Sequence, residues 1–343
     1  MSNLNKDYEI VIYGAGAIGA SIGAWLSPYY DKVYLLARGQ NAKVMMNKGI
    51  ILYRKENPPK NPIPVKIIQD LNEKPSTNVV IIVVKNYDLE EVAKDIHEKL
   101  GDNPIIITLQ NGTENQKVLP KYFSKIIYGV IMISAWRDEP GIFGYLNRGY
   151  LILGTLDNSL QKELKEMCEI LSKATKVQIS EKIQDAIHGK MIFNLLNSIL
   201  TLINHKNPSP NSISILREII VTTLNEGINI VQAAGYHEYS LPGFLPWKEL
   251  QDAVNLPTEI ADKIFSRFFI DRGPNSMIQD MIIRQKGRSE LESLNGYFIK
   301  LANLLGVDAP FNKILYELCK EHFKKTPYQP LEPEIVYDLL KPD

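Results

Sequence analysis

The sequence predicts an α/β fold in which a doubly wound parallel sheet comes first and an all-helical domain follows. Three observations carry this. Short apolar runs such as Ile10–Tyr13, Asn78–Val84 and Pro104–Leu109 lack the alternation of a half-exposed strand, so they read as strands buried on both faces. Helix-compatible segments separate them, the order expected of a parallel sheet with crossover helices. From about Lys182 the pattern changes to long segments of helical period, Asp185–Ile203, Ser214–Ala234 and Ser289–Leu305. The bounds inferred are 1–182 for the sheet domain, 183–330 for the helical domain, and 331–343 for a proline-bearing surface tail.

The first run ends in Gly14-Ala15-Gly16-Ala17-Ile18-Gly19, and a helix-compatible stretch from Ala20 to Leu26 follows. Strand, glycine turn and helix start make a dinucleotide-binding unit of Rossmann type. Gly14 permits the sharp turn, Gly16 lets the backbone approach a pyrophosphate, and Gly19 lets the helix pack close to the strand. The helix N-terminus offers unpaired N–H groups and a positive dipole end to phosphates. The second strand, Lys32–Ala37, ends at Arg38, where an acidic residue would accept from a ribose 2′-hydroxyl. A guanidinium there suits a 2′-phosphate instead, so the cofactor inferred is NADP(H).

Asn41–Lys48 reads as a helix, and Gly49–Ile68 as a hairpin or loop excursion broken by Pro58, Pro59, Pro62 and Pro64. Lys85 and Asn111 leave the ends of buried strands, on the side where such sheets bind ligands. Thr113–Gln116 has the spacing of a capping box. Gly141–Gly154 reads as two antiparallel strands joined at Asn147-Arg148-Gly149; Leu160–Lys173 is a helix and Lys176–Ser180 a strand.

Composition narrows the function classes. The chain has 343 residues, 45% of them hydrophobic, with Lys+Arg and Asp+Glu both at 39. No basic excess points to nucleic acid or an anionic membrane, and no apolar run is long enough to cross a bilayer. Two cysteines, Cys168 and Cys319, read as buried apolar residues, and the five histidines have no metal-ligand spacing. The N-terminal residues lack a signal-peptide core, so the expectation is a cytoplasmic protein without metal.

Within Ile183–Asn204 apolar residues dominate almost all round, which predicts a deeply buried helix. Lys190 and Asn194 share one face, with Asn197 and Ser198 a turn further on. An interhelical hydrogen-bonded seam would satisfy them; a polar strip facing a cleft suits a lysine better, because an ammonium is costly in a dry core. His188 lies on another face and reads as structural. Ser289 and Glu292 form a capping box, and Glu290 in the first turn is explained by the helix dipole alone.

Taken in order, GAGAIG, LLAR, the Val83-Val84-Lys85 strand end, LQNG, GKMIFNLLNSI, NSMIQD and SELESLNGYF make the chain resemble the ketopantoate reductase (2-dehydropantoate 2-reductase) family over about Glu9–Leu305. The resemblance implies a Rossmann domain, a helical domain and an active site in the cleft between them, with NADPH-dependent reduction of ketopantoate to pantoate on the way to pantothenate and coenzyme A. It implies Lys190 as general acid and Glu290 and Asn111 beside cofactor and substrate. Gly14, Ala15, Gly16, Ala17, Ile18, Gly19, Arg38, Lys85 and the Ala135 backbone would contact NADP(H). Asn194 and Ser276 would contact substrate, Ser276 at the carboxylate; Ser198 stands where the family has a second asparagine followed by proline and is taken as a further substrate contact. The segment Tyr236–Gly273 is longer than usual, as is the spacing from Ser276 to Glu290. These departures fall in the substrate half. They keep two rivals open, a paralogue reducing another bulky 2-oxoacid and a non-catalytic NADP(H)-binding redox sensor. The long helices are compatible with a homodimer without requiring one.

Overall fold

The structure, a computed structural model, describes residues 7–55, 57, 61–203, 209–252, 275–283, 288–325 and 327–340. Most of the segment expected to be unusually long, residues 253–273, lies outside the described residues, as do residues 284–287. The contacts divide the chain into two compact units, Met1–Ile187 and His188–Asp343, about one helical turn beyond the boundary read from the change of pattern.

In the first unit the strands are β1 (Ile10–Tyr13), β2 (Val33–Leu36), β3 (Ile51–Arg54), β4 (Lys66–Ile68), β5 (Val79–Ile82), β6 (Ile105–Thr108), β7 (Ile126–Ile131), β8 (Ser134–Glu139), β9 (Ile142–Asn147), β10 (Tyr150–Gly154) and β11 (Lys176–Ile179). Among the described residues, eight form one sheet in the order β11-β10-β7-β6-β5-β1-β2-β4. Neighbours run parallel except β7 and β10. β1, β5 and β6 are buried along their whole length, which explains their unbroken apolar sequences. The strand order reverses at β1, which lies between β2 and β5 with Ile12 opposite Leu35 and Ile81. Such a reversal leaves a crevice at the carboxyl ends of the two strands. The connecting helices are α1 (Ala17–Leu26), α2 (Gly39–Lys48), α3 (Leu89–Leu100), α4 (Glu114–Val118) and α5 (Gln161–Leu171).

Within Gly49–Ile68, expected as a hairpin or loop excursion, Ile50 and Ile63 bridge antiparallel, but β3 and β4 do not pair with each other: β4 joins the edge of the large sheet beside β2, whereas β3 pairs with β9 in a second sheet, order β3-β9-β8. Nor do the two halves of Gly141–Gly154 pair with each other. β9 pairs antiparallel with β8, while β10 crosses to the large sheet beside β7. Burial explains the split, because β10 is covered along nearly its whole length and needs a neighbour on each side. The crossing is made at Gly149, which has φ +57° and no room for a side chain: a Cβ there would stand 2.0 Å from Met132 O.

The second unit is built on α6 (Ile183–Leu202), which starts in the first, and α7 (Pro210–Ala233). Ser209 caps α7 by accepting from Ser212 N at 3.1 Å, with Pro210 at the position where a missing N–H costs nothing. Helices Leu291–Leu305 and Pro310–His322 follow. Glu226 of α7 caps the latter in trans, its carboxylate accepting from Phe311 N at 2.9 Å and Asn312 N at 2.8 Å. The expected surface tail is corrected: Pro333–Leu340 is a helix with Val336 and Leu340 buried, tied down by Ser212 Oγ donating to Glu334 at 2.8 Å and Tyr337 Oη donating to Glu218 at 2.8 Å. Neither capping box forms. Gln116 pairs its amide with Gln184, and Glu292 accepts from Tyr316 Oη, so both side chains are engaged elsewhere.

Candidate active site

The glycine turn joins β1 to α1, and its three glycines differ in what a side chain would meet. Gly14 has φ +112°, a region that L-residues avoid, and a Cβ would lie 3.0 Å from Val84 Cγ1. At Gly19 a Cβ would stand 2.0 Å from Gly14 O and 2.8 Å from Val83 Cγ2, so helix and strand approach as closely as they do only because none is there. Gly16 is different. It is exposed, caps α1 with ordinary φ −75°, and a Cβ there would meet nothing within 4 Å. Two glycines are needed by the protein itself; the third leaves open space before a helix N-terminus that no side chain caps. A dinucleotide pyrophosphate fits that space.

Asn41 of α2 holds the turn in place. Its Nδ2 donates to Ala15 O at 2.9 Å, and its Oδ1 accepts from Gly141 N at 3.0 Å. Beyond β2, Arg38 precedes α2 with its side chain 60% exposed, so it can still reach a ligand. Its guanidinium donates to Tyr13 Oη at 3.1 Å and lies 3.8 Å from Asp95. Tyr13 in turn donates to Asp95 at 2.7 Å, and Asp95 pairs with Lys99 one turn along α3 at 2.7 Å. Burial, then the Asp95 carboxylate, push the Tyr13 hydroxyl well above its usual range, so it stays a neutral donor.

At the ends of β5 and β6, Lys85 and Asn111 are both half-buried. Asn86, next to Lys85, donates from Nδ2 to Asn111 O at 2.7 Å, tying the two strand ends together. Gly112 follows with φ +89°. Ala135 is buried within β8.

In the helical unit, α6 is as buried as its sequence suggests, and Lys190 and Asn197 are half-buried positions on one stripe, two turns apart. Asn194 is 3% exposed and Glu290, at the start of helix Leu291–Leu305, is 6% exposed. Ser276 opens a short helix, Ser276–Ile278, that continues into a π-turn, Gln279–Ile283. Asn275 anchors it, accepting on Oδ1 from Met277 N and Ile278 N at 2.9 Å each and donating to Asn197 O at 3.3 Å. The expected substrate contact of Ser198 is corrected. Ser198 is fully buried; its hydroxyl donates to Leu195 O at 2.9 Å and accepts from Asn295 Nδ2 at 2.8 Å. It is a seam between two helices. His188 is packed inside, stacked on Tyr236 with ring centroids 3.6 Å apart and hydrogen-bonded to Tyr297 at 2.7 Å.

Sequence reading missed Tyr13, Asn41, Asn86 and Asp95. A tyrosine closing an otherwise aliphatic strand was the one visible signal. Among the described residues no cluster of His, Cys, Asp and Glu could hold a metal ion, and no helix is long and apolar enough to cross a membrane.

The parallel sheet, the reversal at β1 and the glycine turn define a protein with a Rossmann-type dinucleotide-binding domain followed by a helical domain. Two family models match it, "Ketopantoate reductase PanE/ApbA" over residues 10–158 and "Ketopantoate reductase PanE/ApbA C terminal" over residues 182–323. The chain belongs to the ketopantoate reductase family, whose members are nicotinamide-dependent oxidoreductases. It is 26% identical over 315 residues to the 2-dehydropantoate 2-reductase of Archaeoglobus fulgidus, covering 91% of this chain and 97% of that one. The enzyme of the same name from Pyrococcus horikoshii is 25% identical, with 91% and 96% covered. Among solved structures, 2-dehydropantoate 2-reductase from Geobacter metallireducens superposes with TM-score 0.72 at 21% identity, covering 91% of this chain and 99% of that one. D-mandelate dehydrogenase in complex with NADH and anilino(oxo)acetate superposes with TM-score 0.75 at 20% identity, covering 93% and 99%. At these identities the structural likeness speaks for the fold.

Proposed function

We propose that this protein reduces 2-dehydropantoate to pantoate with NADPH, a 2-oxoacid ketone to a 2-hydroxy acid. Lys190 carries the reading. It is a half-buried ammonium on a largely buried helix, in a chain whose first unit holds a dinucleotide turn. A ketone accepting hydride develops negative charge on oxygen, and a positioned ammonium gives that oxygen its proton. A bound nicotinamide would supply the hydride. Asn194 and Glu290 are buried polar groups of the same unit that orient the carbonyl and the nascent hydroxyl, and Ser276 and Asn111 bind the carboxylate and the amide ends of the reactants. In the first unit the α1 N-terminus binds pyrophosphate, Lys85 adds a cation, the Ala135 backbone lines the site, and Arg38 takes the 2′-phosphate.

Purified protein assayed by NADPH oxidation against a panel of 2-oxoacids tests this, with ketopantoate expected to be turned over fastest. A second reading, reduction of another bulky 2-oxoacid, is favoured by the aromatic rings of Phe193 and Phe244, which lie near Lys190. Faster turnover of an aromatic or longer-branched acid would select it. Arg38→Ala should raise KM for NADPH about 10- to 100-fold and leave KM for NADH nearly unchanged, because only the former carries the phosphate that a guanidinium pairs with. Equal losses with both cofactors would remove Arg38 from the 2′-phosphate site.

A further inference from the structure

Tyr236 and Leu241 fasten the segment that follows α7 to the first turns of α6. Tyr236 stacks on His188 at 3.6 Å, and the buried Leu241 passes over Gly189, where a Cβ would lie 3.6 Å from Leu241 Cδ1. At the far end Trp247 is buried and its backbone N–H donates to the Glu238 carboxylate at 2.7 Å. Between these anchors Leu241-Pro242-Gly243-Phe244 forms a tight turn. Phe244 N donates to Leu241 O at 3.1 Å, and Gly243 has φ +81°, the pattern of a type II turn with proline and glycine at its centre. Such a turn is stiff: proline fixes one φ, and only glycine takes the other cheaply.

What the turn presents is a ring. Lys190 Nζ lies 4.5 Å from the centroid of Phe244, and Phe193, one turn along α6, packs against that ring with centroids 4.4 Å apart and planes tilted by 49°. An aromatic face carries negative potential, so a cation above it is attracted, most strongly where water is partly excluded.

We infer that Phe244 is a positioning residue for the reaction, holding the Lys190 ammonium charged and aimed by its ring face. This rests on the reductase reading for the use to which the ammonium is put, and on geometry alone for the contact itself. The role fits a general acid on a half-buried helix. Burial disfavours the charged form of a lysine, and a fixed aromatic face offsets part of that cost.

The test replaces Phe244 with Leu, which keeps the apolar bulk and removes the ring face, and with Tyr and Trp, which keep the face. Each full-length protein is labelled with trace acetic anhydride at fixed pH, and the Lys190 peptide is quantified by mass spectrometry against an exposed lysine. Only neutral amine reacts, so Phe244→Leu should label about 3- to 10-fold faster than wild type, with Tyr and Trp close to wild type. In steady-state assays Phe244→Leu should lower kcat by about 3- to 10-fold with KM for NADPH unchanged, and Phe244→Tyr should restore it. Thermal melting of all three keeps a folding defect distinguishable. Equal labelling of Leu variant and wild type would overturn the inference, and so would an unchanged kcat. A wild-type protein that reduces no 2-oxoacid would defeat the reductase reading, while the labelling comparison would still decide the contact.

Discussion

Lys190→Ala is expected to lower kcat for 2-oxoacid reduction by about 10²- to 10⁴-fold, the usual worth of a positioned general acid. The effect should fall on the chemical step. Lys190 belongs to the helical unit, whereas the glycine turn, Arg38 and Lys85 belong to the first, so the dissociation constant for NADPH should change by less than about threefold. A rate within about tenfold of wild type would show that the carbonyl oxygen takes its proton from elsewhere. Folding is not at risk, because the position is half-buried and alanine has the highest helix propensity.

The glycine turn gives the second large effect, and it comes with an internal control. Gly16→Ser should cost about 10- to 100-fold in NADPH affinity, since its side chain would occupy the space open before α1. Its melting temperature should be unchanged or raised: φ at Gly16 is ordinary, and serine is a favoured helix cap. Gly19→Ala should do the reverse, destabilising the first unit by about 2–4 kcal/mol, because its Cβ would lie 2.0 Å from a backbone oxygen that cannot turn away. Calorimetric titration and melting of both variants check this. Gly16→Ser binding NADPH as wild type does would mean that the pyrophosphate does not pass over the turn.

The parts of the fold visible in the sequence are those set by local pattern. β1, β5 and β6 are buried on both faces, so they carry the unbroken apolar runs of a parallel sheet. The jobs of Gly14 and Gly19 follow from strand and helix geometry alone. The errors arose where partners are distant in sequence. β9 and β10 are separated only by Arg148 and Gly149, yet they enter different sheets, and nothing local says that β10 will pair with β7. Residues 331–343 read as a proline-bearing tail, yet Pro333 sits at a helix start, where a missing N–H is free of cost, with Val336 and Leu340 four apart on the buried face. On α6 the period was right but the division of polar residues was not. Ser198 faces Asn295 of a helix nearly a hundred residues later, and no spacing within α6 discloses that. The same holds for Phe244, whose partner is Lys190.

The measurement that bears most directly on the account uses NADPH carrying deuterium at the transferable position of C4, purified protein and ketopantoate in ordinary water. The account predicts pantoate with one deuterium at C2, formed at a rate that Lys190→Ala suppresses by about a hundredfold or more. Absence of a deuterated product, or deuterated product formed equally fast without the lysine, would contradict it.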